Sequence, residues 1–78
     1  MTPAQEKLKT LIDNNRGRVI LDKGTMSLGG KHILRIQNHT DGFTALVEDY
    51  DSGCLDLVSV PMDKVTDAFV SRVESNMS

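Results

Sequence analysis

Leu8, Leu11 and Ile12 recur at the three- and four-residue spacing of a single helical face, which predicts a helix over residues 3–15. Thr2 stands where an N-cap belongs. Pro3 takes the first-turn position that tolerates a missing N–H, and Gln5 follows Thr2 by three residues, close to a capping box. Asn14, Asn15 and Gly17 supply the stop. From Arg18 to Leu28 the chain reads as a strand: Val19-Ile20-Leu21 is rich in β-formers, and Gly24 marks a bulge or break in it. Gly29-Gly30 is a two-residue hairpin signal, and a second strand follows over 31–39.

Asp41-Gly42, flanked by strand-like sequence, predicts a type I′ hairpin turn. Such a turn sets Thr40 opposite Phe43, Ile36 opposite Val47 and Arg35 opposite Glu48. Phe43, Ala45, Val47 and Ile36 then share one face, and Arg35 and Glu48 pair on the other. The third strand covers 43–50. Asp51-Ser52-Gly53 makes the next turn, with Gly53 in the left-handed position. The fourth strand covers 54–60, and its register stays open because Leu55/Leu57 and Val58/Val60 are both apolar sets. A strand apolar on both sides is expected to be interior or to face a partner. Pro61 ends it and opens a helix over 62–75, with Val65, Phe69, Val70 and Val73 as its apolar stripe and Asp63 in its first turn.

The order helix, four strands, helix predicts an α+β fold: a four-stranded antiparallel meander flanked by N- and C-terminal helices, in a single domain over 1–78. Two helices cover one sheet face. The other is expected to carry Ile33, Leu46 and Tyr50 among polar residues, as a face with a partner does.

Length and composition sharpen this picture. A chain of 78 residues buries only about 60–65% of its extended surface, so its core is thin. Aromatic residues are limited to Phe43, Tyr50 and Phe69, so Leu, Ile, Val and Met must build that core. Cys54 is the single cysteine, which leaves no intrachain disulfide and no cysteine-based zinc cluster. No apolar run reaches the roughly 20 residues of a membrane span, and the first residues have neither the basic nor the apolar region of a secretory signal. The expected setting is the cytoplasm, with no membrane partner.

Charge is segregated. Residues 16–35 carry Arg16, Arg18, Lys23, Lys31 and Arg35 against Asp22 alone, whereas residues 41–67 carry seven acidic side chains against Lys64 alone. The acidic half suits a basic surface on another protein, including one that normally holds nucleic acid. The basic half suits phosphates. Adjacent strands of opposite sign also neutralise one another within a sheet.

Catalytic signatures are absent. Gly30-Lys31 fails the phosphate-loop pattern because position 25 is Thr25, position 32 is His32, and a strand follows instead of a helix. His32 and His39, seven residues apart on one strand, are expected on opposite faces, which disfavours a shared metal. Cys54 reads as a small buried hydrophobe, and Asp49, Asp51 and Asp56 as solvated turn residues without the flanks of a calcium loop. No cofactor, metal or catalytic residue is expected.

The leading expectation is therefore a non-enzymatic protein-binding module that docks Glu48, Asp49, Asp51, Asp56 and Asp63, with Tyr50 as apolar anchor, onto a basic site of nucleic-acid-handling machinery. Its type is that of many compact phage and mobile-element proteins that inhibit by occupying a host protein's surface. Two alternatives remain: nucleic-acid binding through Arg16, Arg18, Lys23, Lys31 and Arg35, and a homodimer formed through the sheet edge or its open face.

Overall fold

The Thr2 hydroxyl accepts from the Gln5 N–H at 3.2 Å while Thr2 N–H donates to Gln5 Oε1 at 3.1 Å, so the capping box starts helix α1 (Pro3–Asp13). This is the first element of a computed structural model that describes residues 1–78. Gln5 also donates to the Met62 carbonyl at 3.2 Å, tying the helix start to the far end of the chain. The helix ends two residues before the expected Asn15. Asn14 is its C-cap, and Arg16 and Gly17 turn the chain at positive φ.

The expected first strand is broken. Arg18–Ile20 form β1 and Ser27–Leu28 form β2, and both pair antiparallel with β3 (Lys31–His39). Between them Thr25 N–H and Oγ1 both bond to the Asp22 carbonyl, and Gly24 takes a positive φ. The Gly29-Gly30 hairpin forms as predicted, with φ of 57° and 76°, the left-handed pair a two-residue turn requires. β4 (Gly42–Asp49) and β5 (Leu55–Ser59) complete an antiparallel sheet in the order β1-β3-β4-β5, with β2 extending the β1 edge. The expected last helix is also split. Met62–Lys64 make a short 3-10 turn, Val65 drops into the core, and Thr66 caps α2 (Asp67–Ser75) by accepting from the Phe69 N–H. The first-turn acid of α2 is thus Asp67, and Asp63 lies outside the helix.

Register departs from expectation at the β3–β4 hairpin. The loop is Thr40-Asp41, Gly42 lies within the strand opposite His39, and neither Asp41 nor Gly42 has positive φ, so no type I′ Asp-Gly turn forms. Ile36 faces Ala45, Asn38 faces Phe43, and Arg35 faces Leu46 instead of Glu48. The pairing then slips by one residue at Leu34, a β-bulge, after which Ile33 faces Val47. Ile33 is fully buried on the helix side, where strict alternation from Ile36 would have exposed it.

Both helices therefore lie on one sheet face, over a core of 15 buried residues that are all apolar. At about 1.5–3 kcal/mol for each fully buried large aliphatic side chain, this layer dominates the favourable side of folding. Ala4, Leu8 and Ile12 of α1 and Val70 and Val73 of α2 meet Val19, Ile33, Ile36, Phe43, Ala45 and Val47 of the sheet. Lys7 reaches Asp67 at 3.4 Å between the helices, and Asn38 donates to the Asp13 carboxylate at 2.7 Å. No helix is long and apolar enough to cross a membrane.

Candidate interaction surface

Only one face of the sheet is covered, and the uncovered face carries most of the large hydrophobic residues left in solvent. Ile20, Tyr50, Leu55 and Leu57 are each 51–60% exposed, and Met1 is the one other large hydrophobic residue exposed to that degree. The pairing explains why they gather. Ile20 faces Arg35, Arg35 faces Leu46, and Leu46 faces Leu57, so these four side chains form one row across β1, β3, β4 and β5. The next row sets His32, Glu48 and Leu55 side by side. Leu46 and Leu34 are half-buried, and Leu34 is outside the core layer because the bulge turns it away.

Polar groups frame this strip. Glu48 is held by Lys23, whose Nζ lies 2.7 Å from the carboxylate. The Tyr50 and His32 rings meet at 4.4 Å between centroids, tilted by 54°, which fixes the tyrosine at the strip's end. The Arg35 Nε is buried and has no hydrogen-bond partner. Beyond Tyr50 the β4–β5 turn is organised by Asp49, whose Oδ1 accepts from Asp51 N–H at 2.9 Å and Ser52 N–H at 3.0 Å. The Ser52 N–H first, then the Asp51 N–H, hold the Asp49 carboxyl below its ordinary value. Gly53 closes the turn at positive φ, as expected.

The six residues of the expected acidic docking set are divided. Asp49, Tyr50 and Asp51 stand together at the turn, and Asp56 of β5 lies on the helix-side face with Asp49. Glu48 points to the open face and is paired with Lys23, in place of the expected Arg35. Asp63 follows Met62, which packs near Gly42 at the opposite end of β4, on the order of 20 Å from Asp49. The basic set divides as well. Arg18 and Arg35 lie on the open face, Lys23 is engaged by Glu48, Lys31 faces Asp49 on the helix side, and Arg16 sits in the turn after α1.

Comparison with protein-family models, with curated proteins and with solved structures gives no match for this chain. The surface must be read from its own chemistry. Cys54 is exposed at the start of β5 and is not the buried hydrophobe its position suggested. The bulge breaks the alternation expected to separate His32 from His39, but seven positions of β3 still hold them on the order of 20 Å apart. No three His, Cys, Asp or Glu side chains converge on a point where a metal ion would sit.

Ile20, Leu55 and Leu57 were not singled out as site residues by the sequence. The signal for the leucines was present in the two-sided apolar pattern of 54–60, which here marks an edge strand with one face on the core and the other in solvent.

Proposed function

We propose that this protein is a non-enzymatic protein-binding module that docks through the open face of its sheet. The observation that supports this reading is the concentration of Ile20, Leu46, Leu55, Leu57 and Tyr50 on that one face, where they add nothing to the protein's own core. The fitting partner is a protein that brings an apolar strip to the row from Ile20 to Leu57. It also brings a basic side chain to the exposed Asp51, beside Tyr50 at the rim. A basic site on nucleic-acid-handling machinery has that last property, and covering it would inhibit. The free, exposed Cys54 favours a reducing compartment such as the cytoplasm.

Affinity capture from the native host, comparing the wild-type chain with Tyr50→Ala, Asp51→Lys and Ser71→Lys, tests the reading. Ser71 is exposed on α2, away from the sheet. A discrete protein should bind the wild type and Ser71→Lys, and be lost with Tyr50→Ala. Asp51→Lys should weaken binding most at low salt. Capture indifferent to Tyr50 and Asp51, or replaced by salt-sensitive binding of oligonucleotides that Arg18→Glu abolishes, would refute it.

A further inference from the structure

The two edges of the sheet are treated differently. Along the β1 edge, Met77 bridges Leu21, Ser78 N–H donates to the Ile20 carbonyl at 2.9 Å and Asp22 N–H donates to the Asn76 carbonyl at 3.0 Å, so the chain's last residues cover that edge. Nothing covers β5. Asp49 N–H donates to the Cys54 carbonyl and Val60 N–H to the Phe43 carbonyl. By antiparallel alternation, the backbone groups of residues 54, 56, 58 and 60 turn toward β4, and those of Leu55, Leu57 and Ser59 turn outward. The one outward group with a partner is the Leu57 N–H, which donates to the carboxylate of its neighbour Asp56 at 2.8 Å. A side chain that plugs the middle of an otherwise free edge is a removable guard against strand addition.

We infer that β5 pairs antiparallel with β5 of a second copy of this chain, across a two-fold axis at Leu57. This goes beyond the reading above, because it uses the sheet's edge instead of its face. The edge is self-complementary about that residue. The outward groups of Leu57 meet those of Leu57 in the second copy, and Leu55 meets Ser59 in both directions, giving a symmetric ladder of the kind an isologous dimer needs. Side chains agree with this register. The exposed Leu57 packs on its own symmetry mate, so the row from Ile20 to Leu57 continues into the second molecule without a break. On the helix side, Asp56 comes opposite Val58 of the second copy. Val58 shares a shallow groove with Ser59, Lys31 and Lys64, so Asp56 gives up the Leu57 N–H and gains two basic side chains. The result is one doubled sheet whose open faces lie side by side.

A five-residue strand pair is a small interface, so the association is expected in the micromolar range or weaker. Sedimentation velocity of the full chain, over about 10 μM to about 1 mM, should show a reversible dimer. Leu57→Lys sets two like charges on the axis and should raise the midpoint concentration at least about ten-fold, whereas Ile20→Lys, on the same face but at the other edge, should leave it within about two-fold. Circular dichroism checks that both variants fold. In a Cys54→Ser background, Leu57→Cys should form a disulfide-linked dimer under mild oxidation, since a hydrogen-bonded antiparallel pair holds its Cα atoms about 5.5 Å apart. Native Cys54 should not cross-link, because this register sets it opposite Val60. A monomer at every concentration, or a dimer broken by Ile20→Lys and kept by Leu57→Lys, overturns the inference. So does failure of Leu57→Cys to cross-link. The capture experiment with Tyr50→Ala and these measurements fail independently of one another.

Discussion

The Lys23 ammonium lies 2.7 Å from the Glu48 carboxylate, bridging the interruption between β1 and β2 to the end of β4. Lys23 is two-thirds exposed and Glu48 about one-fifth, so the pair is only partly shielded from water. Lys23→Ala should lower stability by about 0.5 kcal/mol, and the loss should shrink at high salt. Urea unfolding at two ionic strengths measures both. Faster amide exchange over residues 22–26 would show that the pair also restrains this segment.

Asp49 should make the turn pH-sensitive. Its folded carboxyl titrates below the ordinary value of 3.8 because the Ser52 and Asp51 N–H groups favour the charged form. A carboxyl depressed in the folded state stabilises fully above its unfolded value, and that contribution disappears as pH falls through the folded one. Thermal melts of Asp49→Asn against wild type should therefore differ at pH 7 and converge as the pH falls well below the ordinary value of 3.8 and through the folded one. An equal difference at both pH values would assign the effect to geometry and not to charge.

Gly30 has a φ of 76° and open space where a Cβ would stand. Gly30→Ala should cost about 1–2 kcal/mol from backbone conformation alone. Gly30→Asn should cost less, since Asn tolerates the left-handed region. The urea midpoint should shift with no change in slope.

Ile33 and Leu57 are both aliphatic strand residues, yet one is fully buried and the other mostly exposed. Ile33→Ala should cost about 2–5 kcal/mol, and Leu57→Ala less than about 0.5 kcal/mol in the monomer. Equal losses would mean that the bulge at Leu34 does not turn Ile33 into the core.

Much of the fold was legible because its signals are local. The Thr2–Gln5 capping box, the Gly29-Gly30 turn, Gly53 in the next turn and the apolar stripe of Leu8 and Ile12 each need only a few neighbouring residues. The candidate surface was less legible. Of Ile33, Leu46 and Tyr50, the three expected on the open face, Ile33 is instead buried in the core, and the expected Arg35–Glu48 pair depends on a turn that does not form. A shift in one hairpin moves every cross-strand partner.

The sequence by itself determined the order of helix, antiparallel strands and helix, the Thr2 cap of α1 and the turns at Gly29-Gly30 and Gly53, because those choices are settled within one or two turns of chain. Only the tertiary structure decided the bulge at Leu34, the break between β1 and β2, and the partners of Arg35 and Glu48. It also decided which aliphatic residues were left in solvent. Those depend on how two helices and five strands share a single apolar layer. Burying Ile33 together with Ile36 on one face requires an extra residue in the strand, and that requirement exists only when the helices are in place.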